Sequence, residues 1–272
     1  MSVTAPSVAI ITSTIGRPHL ERAILSVQQQ SYTNCKHYVF VDGQQFFANA
    51  QAILEKYPDV VATYLPMNTG ANGWTNSSIN AIAPFLVKED LICYLDDDNW
   101  YEPNHVENCV RQLTAHQYDY VYSMRNFMNV TTGKFICQDT FESVGKYHKM
   151  VGDIDVSSDA LGISGTICLE RKNHIDTNCY CLKREVAIKA SQYWYSGECN
   201  DNNVSNWLLS SREYRGDCTH TFCVNYALDV KRFAEGIYES VSAGVSDEVT
   251  EAQKIEILED FVYHISNFYK NQ

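Results

Sequence analysis

Four short apolar runs recur through the first hundred residues: VAIIT at 8–12, HYVFV at 37–41, VVATYL at 60–65 and LICYL at 91–95. Between them lie segments of helical character. Leu20, Ile24 and Val27 are spaced for one helix face, and Pro18 suits its first turn. Residues 46–57 read as a second helix stopped by Pro58, and 74–85 contain a third. Strands that are apolar along their whole length are covered on both faces, and helices between them make the connections parallel. The expectation is an α/β fold: a Rossmann-like, mainly parallel central sheet with flanking helices. Ligands of such sheets bind at the carboxyl ends of the strands.

The rhythm changes after Asp98. Residues 103–116 look helical, 118–123 look like a strand, and 127–137 with Thr132-Gly133 read as a hairpin. Residues 139–165 are poorly patterned. Helices are expected at 183–192 and 202–209. Val249, Ala252, Ile255, Leu258, Val262, Ile265 and Tyr269 form one stripe of a C-terminal helix, suited to packing on the core or against a second copy as a homodimer contact. The chain of 272 residues is thus divided into 1–110 and 111–245, two halves of one domain, and the helix 246–272.

A net charge of −12 argues against nucleic acid as a partner, because phosphate binding needs a basic field. No run reaches the roughly 20 apolar residues of a membrane span, and the first residues lack the basic start of a secretory signal. A soluble, cytoplasmic protein is expected. The 10 cysteines are scattered without Cys-x-x-Cys spacing, so reduced thiols are expected rather than a zinc or redox site.

LICYLDDDNW, at 91–100, carries the strongest chemical signal. Three adjacent carboxylates at the end of an apolar strand repel one another unless a cation or water screens them. On an extended chain Asp96 and Asp98 project to one side and Asp97 to the other. A hard cation, Mn²⁺ or Mg²⁺, held there by one or two carboxylates could also take phosphate oxygens. The alternative is an acidic turn that caps the next helix through Asp98 or Asn99.

VAIITSTIGRPHLERAILSVQQQSY, HYVFVDG, NTGANGWTNSSINAI and LICYLDDDNWYEPNHVE, in that order, resemble the amino-terminal half of family 2 glycosyltransferases with the GT-A fold. The resemblance covers about residues 7–107 and continues more weakly to about 226. It implies an inverting transferase that moves a sugar from a nucleotide-diphosphate donor, UDP above all, to an acceptor hydroxyl of a glycan or other molecule. By the same resemblance Thr12, Ser13 and Arg17 cradle the nucleotide, and Asp42 reads the base edge. Asp96 contacts the ribose, and Asp98 binds the metal. Asn76 and Asp97 complete the donor-side set, and Trp100 falls at the boundary with the acceptor. The pattern departs from the family at Gly43, where a second acid is usual, and at Thr75, where a base is usual. Asp42-Gly43 is also an ordinary turn signature.

WYSGECNDNNVSNWLL, at 194–209, resembles the family's acidic motif ahead of a helix, whose aspartate deprotonates the acceptor. Asp201 is the better match and Glu198 the second, although Asp201 could simply cap the helix. NHIDTNCYCLKRE, with His174 and Asp176, resembles the segment beside the acceptor, which adds Asp176 as a third catalytic candidate. His220 is a candidate late metal ligand. Trp74, Trp100, Trp194 and Tyr195 are candidate sugar-stacking faces, with Trp100 and Trp194 assigned to the acceptor. Two other classes stay open: a nucleotidyltransferase or pyrophosphorylase, for which TSTIGRP is poor in glycine and lysine, and a non-catalytic nucleotide-sugar or glycan binder.

Overall fold

The first strand, β1 (Val8–Thr14), is enclosed along nearly its whole length, which explains why its sequence does not alternate. α1 (Leu20–Gln28) follows and turns Leu20, Ala23, Ile24 and Val27 inward. β2 (Cys35–Asp42), α2 (Phe47–Leu54), β3 (Val61–Leu65), α3 (Ser77–Leu86) and β4 (Leu91–Tyr94) continue the alternation. β1 lies between β2 and β4, parallel to both, with Val8 opposite Cys35 and Leu91. The computed structural model describes residues 5–147, 152–158, 163–169, 173–197, 199–229 and scattered positions between 256 and 267.

The second half adds β5 (Trp100–Tyr101), α4 (His105–His116), β6 (Tyr120–Asn129) and β7 (Phe135–Gln138). A separate hairpin of β8 (Gly152–Ser158) and β9 (Ile163–Leu169) follows. Then come β10 (Tyr180–Lys183), α5 (Arg184–Trp194), α6 (Asn200–Ser210) and β11 (Gly216–Leu228). Among the described residues the main sheet runs β3-β2-β1-β4-β10-β6-β11-β5, with β7 paired to β6. Strands from both halves therefore share one sheet.

The sheet is mixed but mostly parallel, with helices flanking it, as the strand rhythm predicts. β10 is antiparallel to both β4 and β6, while β11 runs parallel to β6. This reversal brings the amino end of β10 to the edge where β1, β2 and β4 end. The 3₁₀ turn Thr177–Cys179 before β10 thus arrives beside the carboxyl end of β4.

Three local expectations are corrected. The strand at 118–123 and the hairpin at 127–137 share one long strand, β6, which turns after Asn129. The Asn129 side chain accepts from the backbone N–H groups of Thr131 and Thr132 at 2.9 and 2.8 Å, and Gly133 takes a positive φ of 68°. The unpatterned 139–165 contains β8. α6 starts at Asn200, two residues early, because Cys199 takes the left-handed cap position at φ 61°. Of the expected helix 246–272, the described positions are helical and Val262 is buried; the rest lies outside the described residues.

Below this edge sits a buried cation. Arg125 of β6, 2% exposed, donates to Asp139 at 2.8 Å and to Asp176 at 2.6 Å, and pairs also with Glu142. The Asp139 carboxylate accepts in turn from the backbone N–H groups of Phe141, Glu142 and Ser143. Removing one partner of a buried ion cluster leaves uncompensated charge, which costs about 3–5 kcal/mol. Arg125→Met is expected to lower unfolding free energy by that order in urea titration. A midpoint equal to that of the parent chain would contradict the structural role given to this cluster.

Candidate active site

The acidic run leaves β4 as the sequence suggests. Asp96 and Asp98 line a cleft of about 390 Å³ at the carboxyl ends of the parallel strands, with Ser13, Arg17, Asp42, Thr75, Asn76 and Tyr226 also on its walls. Asp97 turns the other way and is fully buried. It accepts from the Thr14 hydroxyl at 2.6 Å and pairs with Arg17 at 2.7 Å. Asp97 therefore builds the site instead of touching the nucleotide. Two other surface depressions lie away from this edge, one at the amino end of β4 and one along α1.

Arg17 links Asp97 to Asp98, which it meets at 2.8 Å, and Arg22 donates to the Asp98 carbonyl at 2.7 Å. The loop after β1 thus holds the loop after β4. Thr12 is corrected: it is enclosed, and its hydroxyl bonds the buried His37 ring at 2.8 Å, so it packs the sheet while Ser13 faces the cleft. Burial pushes the His37 pKa down to about 3, which keeps that ring neutral.

Asp42 borders the cleft, but its carboxylate has a second task. It accepts from the Thr69 N–H at 2.8 Å, the Thr69 hydroxyl at 2.9 Å and the Gly70 N–H at 2.8 Å. A Cβ at Gly70 would lie 2.2 Å from the Thr75 carbonyl oxygen, so only glycine fits this crossing.

Asp96 is the hub. It accepts from Asn76 Nδ2 at one oxygen and from Asn178 Nδ2 at the other, both at 2.8 Å. Its own N–H donates to Asn178 Oδ1 at 2.6 Å. Burial, followed by the charges of Asp98 and Asp176, pushes its pKa up to about 7, against the two amide hydrogen bonds. Asn178 also donates to Asp176 Oδ1 at 2.8 Å. Asn76 Oδ1 accepts from Asn200 Nδ2 at 3.0 Å.

These amides lead to the second acidic group. His174, Asp176 and Asp201 bring one ligand atom each to within 4.8 Å of one another. His174 Nε2 lies 3.8 Å from Asp201 Oδ2, and its Nδ1 bonds Asn202 Oδ1 at 2.9 Å. Burial raises the Asp201 pKa above the ordinary carboxylate range; the adjacent His174 opposes this and the Asp176 charge adds to it. Asp201 is not the helix cap, since Cys199 holds that position; Asp201 lies inside the first turn and accepts from the Asn202 N–H at 2.8 Å.

Three other candidates fall elsewhere. Trp194 is wholly buried, packed on Tyr94 at 5.1 Å, because it closes the inner face of α5. Trp100 turns from the cleft and lies 3.7 Å beneath the Arg22 guanidinium. His220 is exposed at a bulge of β11, edge-on to Tyr147, and is not among the cleft residues. Glu198 lies outside the described residues. The sequence reading missed Asn178, Asn200 and Arg125. Asparagines carry no charge pattern, and a lone arginine in YSMRNF resembles any surface residue until its three acids meet it.

Two places fit a divalent cation differently. Asp98 is partly exposed to the cleft and offers a hard oxygen beside room for phosphate. Asp176 has both oxygens engaged, one by Arg125 and one by Asn178, so the His174–Asp176–Asp201 group is poorly disposed to ligate a cation.

The family model described as glycosyl transferase family 2 matches residues 7–178, more than half of the chain. The chain belongs to glycosyl transferase family 2. It is a glycosyltransferase, and the solved structures that resemble it agree with the GT-A fold. One is TarS 1-349 of S. aureus, at 14% identity and a TM-score of 0.55, over 96% of this chain and 72% of that one. The same fragment in complex with UDP matches at 14% identity and a TM-score of 0.56, over 94% and 70%. The mannosyltransferase PcManGT of Pyrobaculum calidifontis, in complex with GDP-Man and Mn2+, matches at 12% identity and a TM-score of 0.53, over 98% and 74%. Against a longer TarS chain, the protein spans 44% of the length. No curated protein matches the sequence.

For this family 2 transferase, Asn178 is the joint between the two acidic groups. Hydrogen bonds to charged groups contribute about 1.5–3 kcal/mol each. Asn178→Ala is expected to destabilise the fold by at least about 2 kcal/mol in thermal or urea unfolding. Asn178→Asp, which sets a third carboxylate between Asp96 and Asp176, is expected to cost more. The reverse order would show that Asn178 acts through its size alone.

Proposed function

We propose that the chain transfers a sugar from a nucleotide-diphosphate donor, UDP-linked in the first instance, to an acceptor hydroxyl with inversion, and that Asp201 is the general base. The observation that carries this reading is a chain of hydrogen bonds from the cleft to the first turn of α6, which carries Asp201, itself not one of the cleft-lining residues. Asp96 and Asp98 stand at the cleft's donor side, and Asn76, bonded to both Asp96 and Asn200, ties them to the turn of α6 that presents Asp201. The complexes of TarS with UDP and of PcManGT with GDP-Man and Mn2+ support the donor class.

Ser13 and the loop after β1 border the space for the nucleotide. Asp96 faces the same space and suits a hydroxyl-bearing ribose. Asp98 would hold a divalent cation, Mn²⁺ or Mg²⁺, whose chemistry is to neutralise charge that develops on the leaving diphosphate. Arg17 already supplies one positive charge at Asp98, which limits repulsion within the acidic run. Asp201 takes the proton of the acceptor hydroxyl as it attacks. Its raised pKa makes it a stronger base than a solvated aspartate, and His174 beside it favours the ionised form. Attack from the side opposite the diphosphate inverts the anomeric carbon in one displacement.

Asp201→Asn is expected to keep nucleotide affinity and to lower turnover by roughly 10²–10⁴-fold, measured as nucleoside-diphosphate release with acceptor present. Full turnover in this variant would move the base elsewhere. The ionised carboxylate is the active form, so kcat/KM should fall as pH drops through the Asp201 pKa, above the ordinary aspartate range, and Asp201→Asn should lack that limb.

A second test concerns Asp98. UDP with Mn²⁺ should raise the melting temperature of the parent chain, and chelator should remove the metal-dependent part of the shift. At about 100 times its dissociation constant a ligand adds about 2.7 kcal/mol of stability. Asp98→Asn should lose the metal-dependent part while its own unliganded melting temperature holds. An equal shift with and without chelator would remove the cation from this reading.

A further inference from the structure

Two aromatic rings stand exposed beside the cleft where the sheet has no use for them. Trp74 is 36% exposed and Tyr195 60%, with centroids 5.0 Å apart and planes tilted by 41°. They come from distant segments that meet on purpose-built backbone. Asn72 and Thr75, on either side of Trp74, take left-handed φ values of 57° and 50°, common for asparagine but strained for the β-branched Thr75. The Ser77 hydroxyl donates to the Gly197 carbonyl at 2.9 Å, and Asn200 Nδ2 donates to Ser77 Oγ at 2.7 Å. Gly197, at a positive φ of 75°, lies next to the indole: an added Cβ would make ordinary van der Waals contact with it, 3.9 Å from Cδ2. Asn203 donates to Ser196 Oγ at 2.9 Å and fixes the turn after Tyr195.

The place of this pair is informative. Thr75 and Asn76, the residues after Trp74, line the donor cleft. Asp201 follows Asn200, the residue that fastens the Tyr195 segment to Asn76 and Ser77. The rings thus border the site on the side of the base, where an acceptor must lie. Their charge setting narrows what can lie there. Residues 71–77, ANGWTNS, carry no charge, and residues 195–203, YSGECNDNN, carry two acids and no lysine or arginine. Neither segment offers a lysine or arginine to an anionic acceptor.

We propose that Trp74 and Tyr195 form an acceptor subsite for a neutral saccharide, with the C–H face of one pyranose ring laid on the aromatic pair. This rests on the glycosyltransferase reading of the adjacent cleft and adds the acceptor class. An aromatic face matches the apolar face of a sugar, while the indole N–H and phenol O–H stay near the hydroxyl rim. Trp100 and Trp194, assigned to the acceptor from sequence, have no share in the subsite.

The test measures binding of defined tetrasaccharides to the intact chain by calorimetry, with UDP and Mn²⁺ present. The neutral probes are tetramers of glucose, mannose, galactose and N-acetylglucosamine, and the anionic probe is tetragalacturonate. At least one neutral probe should bind. Trp74→Ala and Tyr195→Ala should each weaken it by about tenfold, and Tyr195→Phe should keep most of the affinity. UDP binding, measured on every variant, reports an intact fold. Binding of tetragalacturonate over all neutral probes, neutral binding indifferent to both alanine variants, or no neutral binding by a chain that binds UDP would each overturn the proposal. Failure of UDP to bind the parent chain would instead count against the donor reading, while loss of neutral saccharide binding in the alanine variants would still uphold the subsite.

Discussion

Three carboxylates share one buried guanidinium, and much of the site hangs from that arrangement. Arg125 holds Asp176 in place, Asp176 and Asp96 hold Asn178 between them, and Asp96 holds Asn76. Asp139 brings the chain after β7 to the same guanidinium. A buried arginine with its carboxylates is a poor source of net stability, since desolvation offsets most of the attraction. What it does supply is position: the geometry that satisfies all its donors is narrow, so the groups it binds have little freedom.

The acidic edge is an electrostatic compromise. Asp96, Asp97, Asp98, Asp176 and Asp201 would repel one another strongly if all were ionised and unpaired. The structure separates them by assigning each a different partner. Arg17 takes Asp97 and Asp98, Arg125 takes Asp176, amides take Asp96, and His174 lies beside Asp201. Burial, with the charges of Asp98 and Asp176, pushes the Asp96 carboxyl up to about 7 despite its two amide donors. A ligand that offers donors to Asp96 would favour the ionised form.

The first half of the fold was legible because β1, β2 and β4, largely enclosed, leave long apolar traces and helix spacing is regular; the edge strand β3 is half exposed yet equally apolar in sequence. Asp96, Asp98 and the opposite turn of Asp97 followed from strand alternation alone. The second half was harder to read for physical reasons. β10 is only four residues long and gains its identity from neighbours on both sides. The backbone reversal at Cys199 shifted α6, since a left-handed cap at a cysteine has no sequence signal. Trp194 and Trp100 showed the limit of reading aromatics without burial: one closes a helix, the other lies against Arg22, and the exposed pair came from the less conspicuous Trp74 and Tyr195.

The antiparallel placement of β10 has one more consequence. The chain reaches Arg125 at Asp139, just after β7, and again at Asp176, just before β10. Arg125 grips both anchors, Asp139 on departure and Asp176 on return. Loop closure depends only weakly on loop length. The number of residues between Asp139 and Asp176 therefore adds little to the cost of bringing both to Arg125. The two anchors thus fix where this segment meets the main sheet, while among the described residues β8 and β9 pair with each other in a sheet of their own.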